Sequence, residues 1–252
     1  MNQNVINNFV VIDSIYGKFI VNRHCHFQAE ALIKTGKTHI EKELEAIFLI
    51  IDRLPEGSII LDGGVNIGFF SIPVSKRIRS KNGKVIGFEP QKPIFHAAGG
   101  SIALNDIDNC YLYNLGLSDE PGIAELPNVD YSTSSDFGMV SIDDKNTSTL
   151  KDYLNSKDVE TISIDRLNLQ RLDFIKLDIE GHEIKALNGG ISTIRMFRPF
   201  IWIEYAMVGA ESIKETLKSI ENYSFLIADW QNMVCVPNER ALAMGLVINP
   251  VS

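Results

Sequence analysis

The run Ile59-Ile60-Leu61-Asp62-Gly63-Gly64-Val65-Asn66-Ile67-Gly68-Phe69-Phe70 constrains this chain more than any other stretch. Continuous apolar residues, paired glycines and a return to apolar residues read as a buried strand, a tight turn and the first turn of a helix. Such a turn brings backbone N–H groups and one carboxylate, Asp62, to the carboxyl end of a parallel strand. Open α/β sheets bind nucleotide-type cofactors at that place.

The next strand, Lys84-Val85-Ile86-Gly87-Phe88, ends in Glu89-Pro90. Glu89 follows Asp62 by 27 residues, near the roughly 20-residue spacing of an acid that grips a ribose. A carboxylate at that strand tip can accept from both ribose hydroxyls. A dinucleotide fold would carry Gly-x-Gly-x-x-Gly in the turn. Here Asn66 stands where a glycine would admit a diphosphate, and Asp62 places a negative charge beside it. The charge favours a cationic, phosphate-free nucleoside, S-adenosylmethionine, over a nicotinamide dinucleotide. The cofactor residues are therefore Asp62, Gly63, Gly64, Asn66, Gly68 and Glu89.

A net charge of −8 argues against a nucleic-acid partner, whose phosphates require clustered Lys and Arg. With 45% hydrophobic and 22% charged residues, the chain can bury a full core. Apolar runs stay short of membrane-spanning length, and Met1 to Asn4 lack a signal-peptide layout. Cys25, Cys110 and Cys235 form no paired motif, which reads as reduced thiols in the cytoplasm.

The expected organisation is an N-terminal extension over 1–56, with a hairpin around Tyr16-Gly17 and two helices, packing on a core over 57–252. In the core, strands alternate with helices. Tyr111 to Leu117 is the expected third strand. An irregular substrate-side insertion follows at about 118–158, with a local strand at Met139 to Ile142. Phe174 to Leu177 and Pro199 to Ile203 are the next two strands, and a hairpin closes the chain around Asp229 to Asn232. This is a mostly parallel sheet with one antiparallel strand.

The second informative block is Phe174-Ile-Lys176-Leu-Asp178-Ile-Glu180-Gly-His182-Glu183. Lys176, Asp178 and Glu180 share one side if the strand stays regular. Charges in an apolar strand are costly unless paired or used. Asp178, Glu180 and His182 are the candidate catalytic residues. The bland alternative pairs Lys176 with a carboxylate and makes Glu183 a helix cap. Glu204, ending the neighbouring strand, could join Asp178 as a divalent-metal pair.

The Asp62 to Gly68 turn, Gly87-Phe88-Glu89-Pro90 and Asp173 to Glu183 together resemble the motifs of FkbM-type methyltransferases. Ala103-Leu104-Asn105, Leu117-Ser118-Asp119 and Ile164-Asp165-Arg166-Leu167 add to the likeness, which covers roughly Tyr16 to Pro237. It implies an α/β, class I (Rossmann-like) methyltransferase fold. That fold has a mostly parallel seven-stranded sheet, a terminal antiparallel hairpin and helices on both faces. It also implies S-adenosylmethionine as donor and a hydroxyl acceptor on a sugar, glycolipid or other small molecule. Gly64 departs from the alanine common in that family, and the Gly99-Gly100-Ser101 stretch reads as flexible. Two rival readings are a nicotinamide oxidoreductase and a non-catalytic cofactor-binding scaffold.

Overall fold

A computed structural model of the chain describes residues 7–127, 129–142 and 157–246. The chain begins with β1 (Phe9–Ser14) and β2 (Gly17–Asn22), an antiparallel hairpin, then α1 (His26–Thr35) and α2 (Glu41–Ile51). The core follows with β3 (Ile59–Gly63), α3 (Ser71–Ile78), β4 (Lys84–Phe88), α4 (Lys92–Leu104) and β5 (Cys110–Tyr113). Three short strands come next: β6 (Gly116–Leu117), β7 (Gly122–Leu126) and β8 (Lys157–Ile162). The chain then returns through β9 (Phe174–Leu177), β10 (Phe200–Glu204), β11 (Tyr223–Ile227) and β12 (Asn232–Pro237).

Seven strands form one sheet in the order β11-β12-β10-β9-β3-β4-β5. β12 runs antiparallel to both its neighbours, while β10, β9, β3, β4 and β5 are mutually parallel. This is the expected class I sheet with its terminal hairpin. The central strands are apolar along their length because both faces are covered. Ile60, Leu61, Phe174, Ile175 and Leu177 are fully buried. One face packs on Ile164, Leu187, Ile194 and Ile213, the other on Leu44, Ile47, Phe70 and Val74. The chain leaves β3 for β4 and β5 on one side, then crosses back to β9 on the other. That reversal opens a crevice at the carboxyl ends of β3, β4 and β9.

Asp173, at the foot of β9, ties the sheet to its surroundings. Its carboxylate accepts from Ile59 N at 3.0 Å, Arg171 Nε at 2.6 Å and Arg240 Nη2 at 2.7 Å. A buried acid with three donors, two of them cationic, is a satisfied structural anchor.

The N-terminal hairpin lies on α4. Ile20 N donates to Ser101 Oγ at 2.8 Å, and the Asn105 amide exchanges two hydrogen bonds with the Lys18 backbone. The stretch Gly99-Gly100-Ser101, expected to be flexible, is instead a docking face. A side chain at Gly100 would meet Ile20 Cδ1 at 2.5 Å, so glycine makes room for β2.

Two further expectations are corrected. The third strand divides at Asn114: Cys110–Tyr113 joins the main sheet, and Gly116–Leu117 pairs with β8 in a separate three-stranded sheet, β6-β8-β7. Met139 to Ile142 is not a strand; the strands beside the insertion are β7 and β8. β7 and β8 pair antiparallel, Gly122 to Leu126 against Thr161 to Lys157.

Candidate active site

The crevice holds a cleft of about 630 Å³. The tip of β4 brings Glu89 to one end of it and the tips of β9 and β10 bring Asp178, Glu180 and Glu204 to the other, with Gly64 and Asn66 on the β3 turn between them.

At the first end the glycine turn is held by β4. Gly64 N and Val65 N both donate to Phe88 O at 3.0 Å. Gly64 and Asn66 adopt left-handed backbone, with φ of 82° and 51°. Asn is among the few residues with a side chain that visit this region readily. Glu89 is 4% exposed, with Oε2 accepting from Asn66 N at 2.8 Å and Oε1 from Gln91 N at 2.9 Å. Each oxygen keeps a further lone pair for a ligand hydroxyl. Burial pushes Glu89 up to about 7, against the pull of its two N–H donors.

Asp62, Gly63 and Gly68 are not on the cleft wall. Asp62 lies beneath the turn, fully buried, and Ser71 Oγ donates to its Oδ2 at 2.5 Å. Its Oδ1 has no hydrogen-bond partner. Burial raises Asp62 to about 6, and Lys176 opposes that rise. Gly63 is pressed between Leu177 and Leu117, and Gly68 turns the chain into α3 with φ of 97°.

At the other end Lys176 is 4% exposed, and its Nζ meets Asp178 Oδ2 at 3.0 Å. The pairing foreseen in the bland reading therefore exists. It leaves Asp178, whose side chain is 41% exposed, facing the cleft. Although partial burial works against it, the ammonium keeps the Asp178 carboxyl below its usual range. A carboxylate oxygen of Glu204 lies within 4.8 Å of one on Asp178. Burial, and then the Asp178 charge, push Glu204 up to about 8. In the neutral range the proton therefore sits on Glu204 and Asp178 stays ionised.

Glu180 reaches the same place by another route than regular alternation. The strand ends at Leu177, and Glu180 and Gly181 both take left-handed backbone, φ 54° and 96°. Carboxylate oxygens of Asp178, Glu180 and Glu204 come within 4.8 Å of one another. His182 goes elsewhere. It is 4% exposed, absent from the cleft wall, and its Nε2 lies 3.5 Å from Ser118 Oγ. Glu183 accepts from Ile179 N and Gly181 N, locking the turn that presents Glu180.

Sequence reasoning missed three residues that complete this end. Glu43 and His39 come from the α2 region and Asp136 from the insertion. Glu43 carried a signal: it stands one helical turn before Ile47, on the buried side of α2. Asp136 carried none, since only tertiary structure brings it here. Burial drives His39 down to about 4 and Glu43 up to about 7. The insertion is fastened over the cofactor end. Gln91 Nε2 donates to Phe137 O at 2.8 Å, and Tyr131 Oη donates to Gln91 Oε1 at 2.9 Å.

These raised acids set a pH dependence. Glu43, Glu89 and Glu180 each rise from 4.5 to about 7. A folded state that holds protons more tightly than the unfolded chain gains stability below the unfolded value and loses it as pH climbs through the folded value. His39 works in the opposite sense but is outnumbered. The lowered acids Asp52, Asp165 and Glu239 lose their contribution only below their ordinary values near 4. The ligand-free chain is expected to melt highest near about pH 5 and several degrees lower by about pH 8. Thermal melts across that range check this; a melting temperature that climbs steadily to pH 8 contradicts it.

Comparison with known proteins agrees with this geometry. A family profile described as "Methyltransferase FkbM domain" matches residues 62–227. A curated relative, "Methyltransferase sdnD" of Sordaria araneosa, is 23% identical over 167 residues, 55% of this chain and 62% of that protein. "Methyltransferase 1" of Beauveria bassiana is 25% identical over 155 residues, 54% of this chain and 59% of its own length. The chain thus spans about three fifths of the curated relatives it matches. The crystal structure titled as methyltransferase FkbM from Methylobacillus flagellatus superposes with a TM-score of 0.50 at 16% identity. That superposition covers 72% of this chain and 44% of that one.

Proposed function

Because the chain belongs to the FkbM methyltransferase family, we propose that it binds S-adenosylmethionine in the cleft and methylates a hydroxyl of a sugar, glycolipid or other small molecule. The observation that carries this reading is Glu89, a buried carboxylate with free lone pairs on the wall of a 630 Å³ cleft, opposite the Asp178 group. Family membership sets the nicotinamide reading aside.

The residues present suit the donor. Glu89 has acceptor capacity left for ribose hydroxyls. Asp62 Oδ1, buried without a partner, supplies negative potential beneath the turn, where a cationic amino-acid tail would lie. The donor brings an electrophilic methyl group on a sulfonium, so the protein's task is alignment and proton removal. Asp178, kept ionised by Lys176, would accept the acceptor's hydroxyl proton as the oxygen attacks. Glu204, already protonated in the neutral range, leaves Asp178 as the one ionised acceptor of the pair. His182, facing Ser118, becomes a packing residue in this scheme.

Asp178, Glu180 and Glu204 are also the oxygens a divalent ion would use. Lys176 already occupies one Asp178 oxygen at 3.0 Å, which leaves this group short of the roughly six oxygen ligands a divalent ion takes. The mechanism proposed is therefore metal-free. Among the described residues, no helix is long and apolar enough to cross a membrane.

Calorimetric titration with S-adenosylhomocysteine and with NADH tests the proposal. S-adenosylhomocysteine should bind and NADH should not. Glu89→Ala should weaken that binding by about 1.5–3 kcal/mol, the range for hydrogen bonds to a charged group. Wild-type binding of NADH alone would overturn the reading, and binding without turnover on any acceptor would favour a scaffold.

A further inference from the structure

We propose that the acceptor is an amphipathic cation: a hydroxyl-bearing amine joined to an apolar body. This rests on the methyltransferase reading and names the substrate class of the same cleft.

The first observation is charge. Beyond Glu89, the described lining carries Glu43, Asp136, Asp178, Glu180, Glu204 and Asp229. Against these six carboxylates, Lys42 is the cation on the described wall. His39 is held neutral by burial, and Lys176 is committed to Asp178. A phosphate, sulfate or carboxylate entering this end would meet uncompensated repulsion. A neutral sugar would leave the acids to crowd one another. An ammonium group relieves that crowding.

A second, independent observation is Glu43. Its Oε1 is closed off from solvent and has no hydrogen-bond partner, although the residue lines the cleft. Buried acceptors are rarely left unmet; because the residue itself lines the cleft, a turn of its side chain would bring that oxygen to an ammonium donor on the ligand. The acids are also spread along the wall, from α2 through the insertion to the β11–β12 turn. That suits an extended organic cation better than a point ion.

The third observation is the rim. Phe27, Met139 and Trp230 are 60%, 70% and 77% exposed, yet all three line this cleft. They come from α1, the insertion and the β11–β12 turn, so three separate elements each give this cleft a large, solvent-exposed apolar side chain. Apolar groups over an acidic floor fit a ligand with a cationic head and an apolar body.

The reaction balances without a further reactant. The acceptor's O–H bond breaks and its proton goes to the Asp178 carboxylate. A new O–CH3 bond forms as the donor's S–CH3 bond breaks, and the sulfur leaves with the bonding electrons.

Matched probes test the inference: octyl 2-amino-2-deoxyglucoside, octyl glucoside and octyl glucuronide, below their micellar concentrations, with S-adenosylhomocysteine saturating. Methyl 2-amino-2-deoxyglucoside serves as the tail-free control. The octyl amine should bind at least about tenfold more tightly than octyl glucoside, as a charge-assisted hydrogen bond predicts. The glucuronide should bind most weakly. Glu43→Gln should shrink the amine's lead several-fold, and Trp230→Ala should shrink the advantage of octyl over methyl. Both variants should keep wild-type S-adenosylhomocysteine affinity. Equal binding of amine and neutral glycoside, tighter binding of the glucuronide, or binding of none of the probes overturns the inference. So does Mg²⁺, if adding it erases the amine's lead. Loss of S-adenosylhomocysteine binding in the wild type would instead bring down the methyltransferase reading itself.

Discussion

Replacing Asp178 with asparagine is expected to lower turnover by roughly 10²–10⁴, the usual worth of a general base, while S-adenosylhomocysteine affinity changes little. The substitution keeps the side chain's shape and its place near Lys176. It removes the negative charge and the lone pair that would take the proton. The Lys176 ammonium, 4% exposed and 3.0 Å from Asp178 Oδ2, would then be left with weaker compensation. Some loss of stability is therefore expected beside the loss of rate. Asp178 reaches solvent on its cleft side, which softens that cost. Initial rates with a labelled methyl donor, measured beside calorimetry, separate the two effects. Unchanged turnover would remove Asp178 from the chemistry. A further readout is the pH–rate profile. Lys176 holds Asp178 ionised through the neutral range, so wild-type activity should persist well below neutrality. Lys176→Met should move the acid limb upward, because the carboxyl then lacks its cation.

The residues of this argument were unequally visible in the sequence. β3, β4, β9 and β10 were legible because strands covered on both faces must be apolar along their length. Their acidic ends stood out against that background as Asp62, Glu89, Asp178 and Glu204. The spacing between Asp62 and Glu89 follows from the length of one helix and two short connections, so it too could be read. Asp178 and Glu204 end adjacent strands, and register alone brings them together. Glu180 was named for the wrong reason. Two left-handed residues place it, not the alternation of a strand that stops at Leu177. His182 was legible as chemistry but not as direction. The same backbone turn that aims Glu180 at the cleft turns His182 toward Ser118. Asp136 could not be read at all. Its position depends on the insertion crossing back to α4 and β2 through Tyr131, Gln91 and Asn22. Contacts between residues so distant in sequence have no local signature.

Gly64→Ala is expected to abolish measurable cofactor binding and to destabilise the fold, a larger effect than its one added methyl would suggest. Alanine is common at this position in the family the sequence resembles, and its exchange for glycine here reads as harmless. In this chain the exchange does not run both ways. Gly64 has φ of 82°, and an added Cβ would fall 1.9 Å from the Asp178 carbonyl oxygen. That oxygen is backbone, so no side chain can swing away. Left-handed backbone alone costs a non-glycine residue about 1–2 kcal/mol, and the clash demands movement on top of it. Either of two displacements relieves the contact. The turn can pull away from β9, breaking the bonds of Gly64 N and Val65 N to Phe88 O and dragging Asn66 off Glu89. Alternatively the end of β9 can retreat, stretching the 3.1 Å bond from Asp178 N to Gly63 O and moving Asp178 itself. The first empties the ribose site, and the second misplaces the base. Gly99→Ala is the matched control, since a Cβ there meets nothing within 4 Å. Glycine inside a helix is weaker than alanine by about 0.5–1 kcal/mol, so that variant should melt slightly higher and bind normally. Thermal melts and S-adenosylhomocysteine titrations on the two variants give the answer. A Gly64→Ala protein that melts and binds like the wild type would mean that β3 and β9 do not approach each other as closely at their carboxyl ends as the geometry requires.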